Sequence, residues 1–579
     1  MASVSTRRSA VRGHGHEDIP VTEWTVLAQD PSFRDTDGSV LTTRVEVPTE
    51  RLQRGPKGHR VHVIDYDASS NALYRSRDAK LTADPYQRKL MTERILKDPY
   101  FHQQNVYALT YGTLYQFEQA LGRTVNWGFP NSQQLKVAPH AFEEDNAYYS
   151  RDTESVNFGY FTGIDGSRVF TCLSHDIVVH ETTHALVDGL RPYYLMPSST
   201  DQAGFHEGFA DIVALLSVFR HTNTVEYALR KLTSRATRVL ASQFTIEKLG
   251  STALGKLAEE MGQKSSDSRG RALRESLRIL PDKRHYTSAR FEEEHDRGEL
   301  LVAIFMRVFL KIWIARLQDF LPKRGGSVTW RVVAEEGGTA ARQLLHIAIR
   351  ALDYMPPVDM TYRDYLSALL TADWELFPGE GKFNYRDLLR KEFAAYGILP
   401  ASNAQGNGCW DPPPVSDFSL TGIRFERLQR DPETALRFVW ENRDALGIFP
   451  KAFTRVTSVR PVMRTSRDGA ILRETVAEYI QTLKVFSPEL ESLGIKKPGA
   501  MKRPRLITLH GGGSLIFGEY GQLKFHIGSG VASALQSDRL QSLWDRGYFA
   551  VDAPSASARI ARMHRQREQR ERMPPQEDW

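Results

Sequence analysis

The stretch HDIVVHETTHALVDGL, residues 175–190, sets His180 and His184 four residues apart, with Glu181 beside the first. On a helix, positions i and i+4 lie one above the other, so both imidazoles face the same side and can share one cation. Glu181 lies about 100° round the helix from His180. It is therefore placed to reach a water beside such an ion rather than the ion itself. This is the division of labour behind H-E-x-x-H, two ligands and a general base. With 17 histidines in 579 residues, chance gives roughly 0.03 such matches in the chain. The bland alternative is a helix carrying two surface histidines near an acid.

A catalytic zinc site needs a third protein ligand and one open position. Glu207, in FHEGFADIVALL, follows His184 by 23 residues, and Asp211 stands four residues further on the same helical face. Phe205, Phe209, Ile212, Val213, Leu215 and Leu216 surround the pair. Carboxylates are rarely buried in such a setting unless paired or metal-bound. Glu207 is thus the expected third ligand. Asp211 is the expected acceptor for the far N–H of a ligating imidazole. His206 competes for the third position but lies on another face, and Glu207 is favoured because Asp211 aligns with it.

The elements that must carry these groups change character along the chain. Residues 1–37 are mostly polar. VTEWTVLA, VLTTRVEV and HRVHVIDYDA then read as strands, rich in β-branched residues. NVYALTYGTLYQFEQALG, residues 105–122, has helical spacing with Gly122 as its stop. LKVAPH, NAYYS and VNFGYFTG read as strands, and the pattern from about 200 to 400 is helical. We expect an α+β catalytic unit over 38–400, β-rich to about 190 and helical after. The Gly-, Pro- and Asn-dense segment within 401–425 is the expected linker. Residues 426–579 form a further α+β region ending in a charged tail.

Composition narrows the possibilities. With 41% hydrophobic and 25% charged residues the chain is globular rather than disordered. Its 76 basic and 70 acidic residues leave a net charge of +6, too small an excess for this length to argue for nucleic acid. Two cysteines, Cys172 and Cys409, make no disulfide framework and fit a reducing compartment. The N-terminus lacks an apolar run after its arginines, and no run is long enough to cross a bilayer. These features predict a cytoplasmic protein with no membrane partner, export by a non-classical route being the alternative.

The two motif helices resemble those of the thermolysin-like family of zinc endopeptidases (gluzincins). The resemblance extends to other segments and spans roughly residues 40–400. DNAYYSRDTESVNFGYF resembles the family's edge strand, EEEHDRGELLVAIF the segment bearing its transition-state histidine, and GRALR the segment bearing its substrate-binding arginine. It implies a zinc-dependent metalloendopeptidase acting on a peptide or protein substrate. Zinc would be held by His180, His184 and Glu207, with Glu181 as general base. His295 would stabilise the oxyanion together with Tyr193 or Tyr194, since a wider gap between the zinc helices leaves that choice open. Asn146, Ala147 and Arg274 would bind substrate. Asp176 matches a calcium-binding acid, but Val218 replaces its expected partner, so no calcium is expected there.

Two other functions compete. A catalytically inactive relative would keep the fold as a protein-binding module, yet would usually have lost Glu181. Alternatively, the C-terminal region would be the main actor. Its tail arginines at 559, 562, 565, 567, 570 and 572 are interrupted by Glu568 and Glu571, which reads as a solvated charged helix. The glycines of LHGGGSLIF lack the Lys-Ser/Thr of a phosphate loop and are expected in a turn or bulge between strands.

Overall fold

A computed structural model describes residues 19–549 except 32–33, 35–37, 77–83, 88, 90, 131, 164–165, 197, 231–237, 241–244, 250–275, 322–325, 380, 415–417 and 466–470. The chain is α+β. Strands dominate its first part, helices its middle, and a four-stranded sheet lies near its end.

Strands β1 (Val21–Leu27) and β2 (Thr42–Pro48) form an antiparallel pair, and β3 (Val61–Val63) opens a separate sheet. Helix α1 (Pro99–Leu121) starts earlier than its apolar spacing suggests. Asp98 accepts from the Tyr100 N–H at 3.1 Å and Pro99 takes the first position, where no N–H is needed. The helix stops at Gly122, whose φ is 69°. A side chain there would also collide with the Met463 carbonyl, so both the turn and the packing require glycine.

Strands β4 (Leu135–Glu143), β5 (Ala147–Ser150), β6 (Ser155–Thr162) and β7 (Arg168–Phe170) complete the second sheet. Its order is β3-β4-β6-β5, with β7 also on β6. Strand β5 therefore lies at an edge, antiparallel to β6, with Ala147 opposite Phe158 and Tyr149 opposite Val156.

Helices α2 (His175–Leu190), α3 (Thr200–Phe219), α4 (Glu294–Gln318), α5 (Trp330–Ala351) and α6 (Tyr362–Leu376) build the helical part. Every residue of α2 is buried. Helices α3 and α4 touch backbone to backbone. A Cβ on Gly208 would lie 2.7 Å from the Gly298 carbonyl oxygen, and one on Gly298 would lie 3.4 Å from Glu207 Cβ. This close approach brings Gly298, near the start of α4, against Glu207.

Within the expected linker, Cys409 and Trp410 are buried, and the Trp410 indole N–H donates to the Tyr354 carbonyl at 2.8 Å. Helix α7 (Pro432–Glu441) follows, then the antiparallel sheet of β8 (Phe453–Thr465), β9 (Ile471–Phe486), β10 (Leu506–Gly518) and β11 (Leu523–Ser529). Gly511–Gly513 do not make a turn. They run through the middle of β10, paired with Gln481, Ile480 and Tyr479. A side chain on Gly511 would strike the backbone of Val531, and one on Gly512 the Tyr479 carbonyl.

Alternation along β10 sends Leu515 and Phe517 to α7, whereas Ile516 joins the main core with Phe525 and Ile527. Helix α8 (Leu535–Asp545) ends the described chain's regular structure. The seam between this sheet and the helical part is charged. Arg464 contacts Asp353, Glu474 and Tyr354, Lys524 contacts Glu375 and Glu474, and Arg191 pairs with Glu478. No helix among the described residues is long and apolar enough to cross a membrane.

Candidate metal centre

His180 and His184 project from one face of α2, as their spacing requires, and their Nε2 atoms lie 2.9 Å apart. Glu207, from α3, brings one carboxylate oxygen to 3.7 Å from His180 Nε2 and the other to 3.5 Å from His184 Nε2. All three side chains are buried.

The far side of each ring decides what the near side offers. Asp211 Oδ1 lies 2.8 Å from His180 Nδ1. The negative charge beside Nδ1 favours the tautomer with its hydrogen there and the lone pair on Nε2. His206 Nδ1 lies 2.6 Å from His184 Nδ1, and with His184 as donor the same tautomer results there. His206 thus stands behind a ligand instead of competing for the ion. That role is invisible in the sequence, where the only signal was its adjacency to Glu207. Two lone pairs converge beside a carboxylate in a dry site, and such an arrangement repels itself unless a cation sits among the three donors. The donor set, two imidazoles and one carboxylate, fits zinc with one position left for solvent or substrate.

Glu181 is fully buried next to this group, and its Oε2 accepts from the Tyr149 backbone N–H at 3.1 Å. Strand β5 is thereby fastened along α2. The Tyr149 hydroxyl on Asp188 at 2.7 Å and Arg151 Nε on the same carboxylate at 2.8 Å fasten it further. Asn146, just before β5, is buried. Its Oδ1 accepts from the Ala147 N–H at 2.8 Å, and its Nδ2 has no hydrogen-bond partner.

His295 lies in the first turn of α4. Glu293 caps that helix and also accepts from His295 Nδ1 at 2.9 Å, while Nε2, buried, has no hydrogen-bond partner. The two tyrosines have different surroundings. Tyr194 is buried and donates to the Pro356 carbonyl at 2.6 Å. Tyr193 is half-buried, accepts from Arg455 of β8 at 2.9 Å and packs edge-on against His510. Arg274 and the arginine-rich tail lie outside the described residues. A cavity of about 720 Å³ lined by Arg342, His346, Arg350, Asp373, Arg386 and Arg390 shares no residue with this centre.

No protein-family model matches the chain, and no curated protein matches it either.

Proposed function

We propose that the chain is a zinc-dependent metalloendopeptidase of thermolysin-like architecture that hydrolyses peptide bonds in peptide or protein substrates. The observation that carries this reading is the convergence of two imidazole lone pairs with the Glu207 carboxylate beside the buried Glu181. His180, His184 and Glu207 would hold the ion, with Asp211 and His206 behind the rings. A zinc ion bound there would supply Lewis acidity for activating a water and a carbonyl.

The protein's own groups do the rest. Glu181 takes the proton of the attacking water and passes it to the leaving amine. The Tyr149 N–H holds its other oxygen and so fixes the carboxylate's orientation. His295, oriented through Nδ1 by Glu293, donates from Nε2 to the carbonyl oxygen as that oxygen gains charge. Tyr193, whose hydroxyl accepts from Arg455 and keeps its own hydrogen to give, is the better second donor because Tyr194 is committed to Pro356. Each such donor contributes about 3 kcal/mol of barrier lowering. An extended peptide adds to the edge strand β5, and Asn146 Nδ2 donates to a substrate carbonyl.

The test is hydrolysis of casein or a fluorogenic peptide, with and without a chelator, by the full chain and by Glu181→Gln. Chelator-sensitive cleavage that the substitution abolishes is the expected result. Undiminished cleavage by Glu181→Gln removes the mechanism, and no cleavage by the zinc-loaded wild type favours a binding protein.

A further inference from the structure

A second cluster of metal-ligating side chains lies apart from the one just described. His102 on α1, His140 on β4 and Cys172, in the turn between β7 and α2, are all buried, and their ligand atoms lie within 4.8 Å of one another. His102 Nδ1 faces His140 Nε2 at 2.7 Å.

The outer nitrogens are fixed as they are in the first centre. His102 Nε2 lies 2.6 Å from the Leu96 carbonyl, which can only accept, so its Nδ1 presents a lone pair. His140 Nδ1 lies 2.7 Å from Asp65 Oδ1, and the other oxygen of Asp65 accepts from Gln103 Nε2 at 2.7 Å. A carboxylate behind one ring and a backbone carbonyl behind the other are the partners that orient imidazoles toward a metal. We propose that His102, His140 and Cys172 form a second metal site, which takes a thiophilic divalent cation of the zinc type and ties α1 and β4 to the turn that leads into α2.

The donor atoms select the ion. One sulfur and two imidazole nitrogens suit a thiophilic divalent cation, whereas a hard cation such as magnesium would not choose sulfur. Binding displaces the protons the ligand atoms carry. Bonds of about 2.0–2.3 Å to such an ion require the two rings to separate by roughly 0.6 Å. The site would pin three segments distant in sequence. One of them is the turn that sets the start of the His180 helix, where Cys172 O already accepts from Asn105 Nδ2 at 3.0 Å.

The experiment uses the purified full chain loaded with cobalt in place of zinc. Only a cysteine ligand gives a near-ultraviolet thiolate-to-cobalt charge-transfer band, and the His180 centre contains no sulfur. The expected result is about two metal equivalents per chain with that band present. The band persists in His180→Ala and Cys409→Ser and disappears in Cys172→Ser, which retains about one equivalent. A cobalt-saturated wild type without the band overturns the proposal and needs no variant to fold. So does a band that survives Cys172→Ser. Neither result bears on peptide hydrolysis, so this proposal and the peptidase reading fail separately.

Discussion

Replacing Arg464 by Met should loosen the seam that holds the C-terminal sheet against the helical part. Arg464 is buried on β8 and bonds Glu474 at 2.8 Å, the Tyr354 hydroxyl at 3.1 Å, the Leu121 carbonyl at 3.3 Å, and Asp353. Arg464 shares the acids Asp353, Glu474 and Glu375 with Arg123 and Lys524, and Arg191 and Arg460 also lie near Asp353. Removing Arg464 takes away the base that bridges Asp353 and Glu474. Breaking such a pair costs about 3–5 kcal/mol. The lower end is expected, because Arg123 still holds Asp353 at 2.6 Å and Lys524 still holds Glu474 at 2.9 Å. With an unfolding entropy of about 2.1 cal/mol/K per residue, a single transition of a chain this long would shift down by about 2–4 °C.

The pH dependence follows from Asp353. Burial pushes its carboxyl up, but Arg123 and Arg464 together hold it below its ordinary value of 3.8. A depressed carboxyl contributes stability that is present above its unfolded pKa and lost as pH falls through the folded one. The wild type should therefore lose this contribution as pH falls from 3.8 through the lower folded value, and the deficit of Arg464→Met relative to the wild type should narrow over that window. Urea and thermal unfolding between acid and neutral pH measure both effects. A loss under about 1 kcal/mol, with an unchanged acid limb, would refute the treatment of this seam as a buried charge network.

Other perturbations separate ligand, base and donor roles. Asp211→Ala removes the acceptor behind His180 and should weaken zinc affinity about 10–100-fold, read by competition with a chromophoric chelator. Unchanged affinity would mean that the aspartate does not orient the ring. Glu181→Gln should leave zinc affinity within about twofold while abolishing peptide hydrolysis, since Glu181 is assigned a proton and no metal bond. Tyr193→Phe should lower kcat about 100-fold with little change in KM, whereas Tyr194→Phe, losing its contacts with Pro356 and Arg191, should act on stability and leave kcat nearly intact. The reverse pattern would reassign the oxyanion donor.

What could be read from the sequence was local. His180, Glu181 and His184 share one helix, so their spacing alone orients them, and Asp211 aligns with Glu207 by the same rule. The edge position of NAYYS was legible only through a resemblance, because period and propensity do not say which strand ends a sheet. The groups at 65, 102, 140 and 172 come from four separate segments, and no pattern joins them before the chain folds. His206 looked like a rival ligand because adjacency in sequence does not reveal which ring nitrogen faces which neighbour. The Gly511–Gly513 run suggested a turn, yet the close approach of Val531 and Tyr479 to a continuous strand is what demands glycine. Tyr193 and Tyr194 were inseparable until their partners, Arg455 and Pro356, came from distant parts of the chain.

The central claim is that three side chains from two helices bind one zinc ion. Anomalous diffraction at the zinc edge, from crystals of the full chain, tests it most directly. The account predicts a peak bonded to His180 Nε2, His184 Nε2 and the Glu207 carboxylate, with Asp211 behind the first ring. A zinc-loaded crystal with no peak at the imidazole pair, or with Glu207 turned away from it, would contradict the assignment.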